Sequence, residues 1–276
     1  MKNWIHSPKN PNVAKYVDCY WFIQKKHSGD SHQYPKLNPD PAAHLIIAPP
    51  EQSYQYEQAA MSASGKGSHW LFPHCQTFKM DHCRPFLILG IKFHIGALYS
   101  LNITPQQPVV DQVTDVDINA LLNSELFSTA EILAKAELQP ESCRDTLDEL
   151  LMPWLLNRPQ DKHSRLCRNA LSLLADTPIS NLGELLHCSQ RTLERSFLRV
   201  TGLTLKQCQS MNKLEAMLES LYQKKDIDWL NVAYEFGFSD QPHLIRYLKS
   251  TIGSTPGEYA KQRDLVIDIY GDFEQN

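Results

Sequence analysis

The sequence predicts an α+β fold in which a β-rich N-terminal domain is followed by an all-α domain. From about residue 16 to 115, short apolar runs such as YVDCYWFI and FLILGIKF alternate with turn-forming residues, which is typical of strands. Helical spacing of apolar residues begins in 118–136 and 141–157. It then continues over almost the whole C-terminal part. We therefore divide the chain at the polar linker NRPQDK, into domains at 1–157 and 160–263 and an acidic tail at 264–276.

Composition limits the class of protein. The chain has 276 residues, of which 42% are hydrophobic and 21% are charged, so it is long enough for two domains with separate cores. The start MKNWIHSPKNPN lacks an apolar signal core, and no apolar run approaches the ~20 residues of a membrane helix. Seven widely spaced cysteines without a C-x-x-C pair indicate reduced thiols. We expect a cytoplasmic protein with no membrane partner.

Charge is distributed unevenly along the chain, although the formal net charge is only −4. The segment 160–263 has 14 Lys and Arg against 11 Asp and Glu, and it alone is net positive. This small excess favours a polyanionic partner only weakly.

The helical part contains an internal repeat, which is the strongest signal in the sequence. The offset between the copies is 50 residues at first and becomes 51 after one inserted residue. The matched pairs include Leu182 with Val232, Gly183 with Ala233, Ser189 with Ser239, Arg195 with Arg246, Gly202 with Gly253 and Thr204 with Thr255.

Each copy has the pattern of a helix-turn-helix unit. The first helices, at about 180–187 and 228–235, carry Gly183 and Ala233 where the next helix must cross closely. Ser189 and Ser239 are predicted to cap the second helices. Leucine or phenylalanine residues at i, i+4 spacing then face inward, which leaves the polar side chains of each second helix outward.

The outward side chains suit contacts with base edges and phosphates. A solvated helix face is the alternative explanation, because most exposed arginines bind nothing. Duplication favours DNA, because the helix LKQCQSMNKLEAMLESLYQ between the units would be roughly 27 Å long and could hold them about one DNA turn apart. The outward residues are Arg191, Thr192, Glu194, Arg195 and Arg199 in the first unit and Gln241, Pro242, His243, Arg246 and Lys249 in the second.

Residues 160–263 resemble the DNA-binding domain of the AraC/XylS family of bacterial transcription regulators. The stretches VAYEFGFSDQPHLIRYLKSTIGSTPGEY and SQRTLERSFLRVTGLT carry the resemblance. It implies that the second helix of each unit enters the major groove. Two residues depart from the family pattern, namely His187 in place of a turn glycine and Met217 in the linker helix, so that the first unit is expected to pack differently. By this resemblance Arg191, Glu194, Arg195, Pro242, His243 and Arg246 lie nearest the bases, and Gln190, Thr192, Arg199, Gln241 and Lys249 make phosphate or peripheral contacts.

The N-terminal half resembles the barrel-like, cupin-like sensor domains that precede the DNA-binding domain in this family. The phrase LGIKFHIGALYSL is similar to a recurrent segment in one uncharacterised group of them. The resemblance implies that this half binds an effector or dimerises, with helix 141–157 as the dimerisation candidate. The alternative is a helix packed on its own barrel. Tyr20, Trp21, His44, Ile46, Trp70 and Phe93 are the candidate effector pocket, and core aromatics are the alternative explanation for them.

Metal binding and catalysis find little support in the sequence. The spacing within the one His and Cys group matches no zinc pattern, and catalytic and phosphate-loop motifs are missing. We expect no metal, no cofactor and no enzymatic activity. The group consists of His69, His74, Cys75, His82, Cys83 and His94.

These observations favour a sequence-specific DNA-binding transcription regulator. Its recognition helices, at about 190–200 and 240–250, would enter successive major grooves under the control of an effector that the sequence does not identify. The expected partners are double-stranded DNA, RNA polymerase, a small-molecule effector or a protein, and a second copy in a homodimer. The alternatives are a regulator controlled by a protein partner without a small ligand, and a cupin-like metal enzyme with an appended helical module.

Overall fold

The computed structural model of the chain describes residues 2–26, 36–57, 62–80, 85–103, 108–122, 128–156, 161–222, 227–253 and 255–258. The strands are β1 (Lys2–His6), β2 (Val17–Lys25), β3 (Lys36–Leu37), β4 (His44–Ile47), β5 (Ser53–Glu57), β6 (Ser62–Lys66), β7 (His69–Leu71), β8 (Phe78–Met80), β9 (Phe86–Phe93) and β10 (Val113–Asp115). The helices are α1 (Ala97–Ser100), α2 (Ile118–Leu122), α3 (Thr129–Leu138), α4 (Pro140–Leu155), α5 (Lys162–Leu173), α6 (Ile179–Leu185), α7 (Gln190–Thr201), α8 (Leu205–Tyr222), α9 (Trp229–Glu235) and α10 (Gln241–Ile252). The predicted α+β fold, β-rich first and helical second, is confirmed.

Two antiparallel sheets form the N-terminal domain. The larger sheet has the strand order β1-β2-β9-β4-β7-β10, and the smaller has the order β3-β8-β5-β6. Alternation along β2 divides the core into two layers, because successive side chains point to opposite faces. Tyr20 and Phe22 pack with the helices, whereas Trp21 and Ile23 pack between the sheets. The indole of Trp21 lies so close to Gly90 that an added Cβ there would be 1.8 Å from the ring.

Helix α4 packs on the larger sheet of its own domain. Leu147, Leu151 and Leu155 are each at most 3% exposed and belong to the core under that sheet. Asp148 is also buried, and its carboxylate accepts the Tyr20 hydroxyl at 2.7 Å. The prediction that this stripe is a dimerisation surface is wrong, because the sheet already covers its apolar side chains.

Three local features differ from what the sequence predicts. The single helix predicted over 118–136 is divided, since α2 ends at Leu122 and α3 begins only after Ser128, whose hydroxyl accepts the Glu131 N–H. Strand β1 was not predicted, because KNWIH is short and its side chains are mostly exposed. Helix α1, which follows the left-handed Gly96, lies within the segment 16–115 in which the sequence predicts strands.

The helical domain has two small cores with α8 as a shared wall. The first half of α8 packs with α5 and α7 through Cys208 and Met211, and the second half packs with α9 and α10 through Leu214 and Met217. Met217 is fully buried. The predicted linker helix is therefore confirmed, and it is a structural part of both units. No helix within the described ranges is long and apolar enough to cross a membrane.

The two domains contact one another at several points. Thr77 donates a hydrogen bond to the Thr251 carbonyl at 2.9 Å. Lys92 lies 3.4 Å from the carboxylates of both Asp40 and Glu215, and Glu215 belongs to α8. Burial alone would lower the pKa of Lys92, but these two carboxylates raise it above its usual range. The ammonium therefore stays charged and links the larger sheet to the linker helix.

Candidate nucleic-acid interface

Helix α7 presents a basic face to solvent. Its N-terminus is capped by Ser189, whose hydroxyl accepts the Thr192 N–H at 3.2 Å, as predicted. Arg191, Arg195 and Arg199 are exposed and follow one another at i, i+4 and i+8, so they lie along one side of the helix. Together with Thr192 and Ser196 of α7 and a histidine of α5, they line a cleft of about 500 Å³.

The remaining polar residues of α7 interact with each other. Gln190 Nε2 donates to Glu194 Oε1 at 3.0 Å, which orients the carboxylate along the helix surface. Gly183 of α6 lies against the start of α7, where an added Cβ would be 3.0 Å from the Cys188 carbonyl oxygen. A small residue is required at this crossing, as the repeat predicts.

Helix α10 is capped by Asp240 and not by Ser239. The Asp240 carboxylate accepts the His243 N–H at 2.7 Å. The prediction of Ser239 as the cap is wrong, because the inserted residue of the second copy lies before the cap, so Asp240 is the counterpart of Ser189. Pro242 occupies the first turn, where backbone N–H groups have no acceptor within the helix, so its missing N–H costs no hydrogen bond.

The polar side of α10 contains exposed Gln241, His243, Arg246 and Lys249. The His243 ring packs edge-on against Phe238, with the ring centroids 5.2 Å apart. Its Nδ1 accepts the Ser239 N–H at 3.4 Å. Because Nδ1 is then the acceptor, the proton of a neutral His243 ring lies on Nε2.

The turns of the two units have the same backbone geometry. His187 has a φ of 52° and Gly237 a φ of 66°, so both are left-handed. The following residues, Cys188 and Phe238, donate their N–H groups to the carbonyls of Gly183 and Ala233 at 2.9 and 2.7 Å. A histidine thus takes the place of the turn glycine without changing the backbone of the turn, although it is strained there relative to glycine. The expectation that the first unit packs differently because of His187 and Met217 stays a prediction.

Arg199 contacts the N-terminal domain directly. Its Nε donates to the Tyr99 hydroxyl at 3.1 Å, and its guanidinium lies 6.0 Å from the centre of the Tyr99 ring. Tyr99 in turn donates to Asp161 at 2.7 Å. Desolvation of the Asp161 carboxylate would by itself raise its pKa. Hydrogen bonds from the Ser164 backbone N–H and the Tyr99 hydroxyl outweigh this effect and lower the pKa to about 2.

His163 of α5 is a residue of this interface that the sequence did not predict. Its Nδ1 lies 3.0 Å from the Ser196 hydroxyl, at the edge of the arginine cleft. The residue is 33 positions away from Ser196 along the chain. No motif marks it, because only the packing of α5 on α7 brings it there.

The six residues predicted as an effector pocket do not converge. Tyr20, Trp70 and Phe93 belong to the core under the helices, and Trp21 and Ile46 belong to the core between the sheets. His44 is buried and its Nδ1 accepts the Trp21 indole N–H at 3.2 Å. Neighbouring strand residues cannot face one cavity, so the alternative explanation of core aromatics applies to them.

The described histidines and cysteines of the candidate metal group lie apart. His69 contacts Tyr56 and the Gly67 carbonyl, and His74 contacts the carbonyls of Phe72 and Asn38. Within the described ranges, no three His, Cys, Asp or Glu side chains are placed to hold a metal ion. His82 and Cys83 lie outside the described residues, as does the predicted acidic tail.

Comparison with protein families gives two matches, one in each domain. Residues 182–262 match a model described as a helix-turn-helix domain. Residues 6–115 match a model described as a domain of unknown function, DUF6597. No curated protein sequence matches the chain.

Similar solved structures include ToxT from Vibrio cholerae, at 11% identity and a TM-score of 0.44, covering 88% of this chain and 98% of that one. A DNA-binding transcriptional dual regulator from Escherichia coli K-12 has 19% identity and a TM-score of 0.31, with 38% of this chain and 95% of that one covered. The C-terminal domain of AraT, a response regulator from Geobacillus stearothermophilus, has 20% identity and a TM-score of 0.33, with 42% and 98% covered.

Proposed function

We propose that this chain, whose residues 182–262 form an AraC-type helix-turn-helix domain, is a transcription regulator that binds a specific DNA site through both helix-turn-helix units. The observation that carries the proposal is the pair of exposed polar helices, α7 and α10, on cores that share α8. This arrangement supports the insertion of both helices into successive major grooves, whose centres are about 34 Å apart.

The two recognition helices have different chemistry. Helix α7 has three arginines on one side, so it would supply phosphate contacts as well as bidentate contacts to guanine. Helix α10 has Pro242 in its first turn, so readout there rests on His243 and Arg246. The Nε2–H of His243 is a donor, and it would pair with an acceptor such as guanine N7 or O6.

The β-rich domain would control DNA binding, because it contacts the helical domain through Lys92, Tyr99 and Thr77. We propose that a small effector acts through this contact, and that the regulator works on RNA polymerase in the bacterial cytoplasm. A homodimer would have to use a surface other than the buried side of α4. The proposed activity is regulation, without an enzymatic reaction.

The test uses the full chain and its preferred DNA site, selected from random duplexes. Arg246→Ala should weaken binding to that site by about 1–3 kcal/mol and relax selectivity at one base pair, because a bidentate base contact is lost. Fluorescence anisotropy on the selected duplex and its single-base variants measures both effects.

Lys249→Ala is the matched control on the same helix. If Lys249 contacts only phosphate, its loss should weaken binding equally on selected and random DNA. Binding of the unmodified chain should also fall steeply with salt. An Arg246→Ala loss that is the same on random DNA, or a flat salt response, would contradict the proposal.

A further inference from the structure

A cavity of about 500 Å³ lies between the two domains. One wall comes from the β-rich domain, from residues 14–16 and from the segment 94–97 with Ser100. The opposite wall is the side of α5 that contains Cys167 and Leu171, and Val200 of α7 closes one part of it. Its volume is within the range of about 300–1,000 Å³ of small-molecule sites.

The inner surface of this cavity is mostly apolar. Ile95, Ala97, Leu171 and Val200 supply hydrocarbon side chains from both domains. Burial raises the pKa of the Cys167 thiol to about 12, so this group is neutral and adds to the apolar wall. A ligand with an apolar body would therefore lose little by leaving water here.

The permanently charged side chains of the lining, Lys15 and Arg168, are both cationic. His94 also lines the cavity, and none of the lining residues is Asp or Glu. Within the described chain, Arg168 makes no ion pair, and Lys15 Nζ donates only to the Asn12 side chain at 3.1 Å. Two carboxylates of the described residues contact lining residues from outside the lining. Asp161 accepts the Ser164 hydroxyl at 2.8 Å, and Asp18 lies 3.8 Å from His94 Nδ1.

We propose that this interdomain cavity binds a small organic anion with an apolar body, and that such an anion is the effector of the regulator. The apolar part lies against Ile95, Leu171 and Val200, and the anionic group lies near Arg168 and Lys15. This inference deepens the proposed function. The claim that the anion regulates DNA binding rests on the proposed function, whereas the claim that the cavity binds the anion does not.

The cavity is placed to influence the recognition helix. An added Cβ at Gly96 would lie 2.7 Å from Val200 Cγ1, so the β-rich domain touches α7 at the cavity wall. Three residues further along, Tyr99 bonds to Arg199 of the same helix. A ligand held between these walls contacts both domains. If DNA binding changes the positions of the two domains relative to each other, ligand and DNA must therefore alter each other's binding affinity.

The experiment uses two fluorescent probes that share their ring system. The first is 8-anilinonaphthalene-1-sulfonate (ANS), an anion with an apolar body, and the second is N-phenyl-1-naphthylamine (NPN), which lacks the sulfonate. We expect saturable binding of one ANS per full-length chain, with NPN about tenfold weaker because it lacks the charged contact. Equal affinity for both probes would overturn the anionic character of the site.

Substitutions on α5 test whether the probes bind in this cavity. Arg168→Ala should weaken ANS binding about tenfold and leave NPN unchanged, whereas Arg165→Ala, which removes an exposed arginine of the same helix outside the lining, should change neither. Ser172→Trp at the exposed rim should weaken both probes by occupying the entrance. Circular dichroism confirms that each variant is folded.

Two further results would overturn the proposal. One is ANS affinity that is the same in the unmodified chain, Arg168→Ala and Ser172→Trp. The other is an equal loss in Arg165→Ala and Arg168→Ala. Failure of the DNA proposal has a different signature, since a chain that does not bind DNA can still bind ANS with this pattern of variants.

Discussion

His69 is buried in the β-rich domain with both ring nitrogens engaged. Nδ1 donates to the Gly67 carbonyl at 2.9 Å, so Nε2 is the acceptor for the Tyr56 hydroxyl at 2.8 Å. Both bonds suit the neutral ring. Burial lowers the pKa of His69 to about 4, against the weaker raising effect of the Gly67 carbonyl.

This shift predicts acid sensitivity. Between the unfolded pKa of about 6.5 and the folded pKa of about 4, the unfolded chain binds a proton that the folded chain excludes. The free energy of unfolding should therefore fall as the pH decreases through this window, by about 1.4 kcal/mol per pH unit for one proton. Urea unfolding between pH 7 and about pH 4 measures it.

His69→Gln is the control, because glutamine keeps polar atoms at the site but does not titrate. The free energy of unfolding of this variant should change less steeply with pH over the same window, by the contribution of one proton. Part of the pH dependence should remain, because burial also lowers the pKa values of other histidines such as His44 and His74. An unchanged slope would show that His69 does not contribute.

At the scale of single elements, stability measurements can show which of the two candidate residues, Asp240 or Ser239, caps helix α10. Asp240→Ala should lower the free energy of unfolding by about 1 kcal/mol, because the His243 N–H loses its acceptor. Ser239→Ala should cost clearly less, since Ser239 only contacts neighbouring side chains. Chemical denaturation followed by circular dichroism compares them, and a larger loss for Ser239→Ala would restore Ser239 as the cap.

The elements also show what a sequence can predict. The repeat aligns Gly202 with Gly253, and both end their helices in the left-handed conformation with φ values of 75° and 68°. It also aligned Thr204 with Thr255, and each starts a capping box, with Gln207 and Glu258 respectively. Such local signals depend on a few neighbouring residues and are therefore readable.

Other features depend on contacts that one sequence does not encode locally. The leucines of α4 make the same stripe whether a sheet or a second chain covers them. Ser239 and Asp240 are both good caps, so residue type could not place the insertion. The pocket error is different, since the opposite orientations of Tyr20 and Trp21 follow from strand alternation and were predictable. His163 and the interdomain cavity arise only from docking of distant elements.

For the whole molecule, the bond between Tyr99 and Arg199 predicts restraint of DNA binding by the β-rich domain. Tyr99→Phe removes the hydroxyl that accepts Arg199 Nε, so the guanidinium is free to reach a phosphate. We expect DNA affinity to rise by up to about fivefold, the size of one exposed hydrogen bond. Fluorescence anisotropy with the selected duplex measures the change.

Arg199→Ala supplies the double-mutant control. In that background Tyr99→Phe should have no effect on DNA affinity, because the group it releases is missing. The same gain in both backgrounds would mean that Tyr99 acts by some route other than Arg199.

Helix α8 fixes the relation of the two helix-turn-helix units because its residues complete both hydrophobic cores. The Gln209 side chain of α8 donates a hydrogen bond to the Leu174 carbonyl at the end of α5. The Tyr247 hydroxyl of the second unit donates to the Ser210 carbonyl of α8. One base pair added between two half-sites would rotate the second by roughly 35° around the duplex, at 10–10.5 base pairs per turn. A rigid α8 cannot follow that rotation. If the proposed function holds, the DNA sites that engage both units should therefore share a single spacer length, and a genomic search for such sites can hold that length constant.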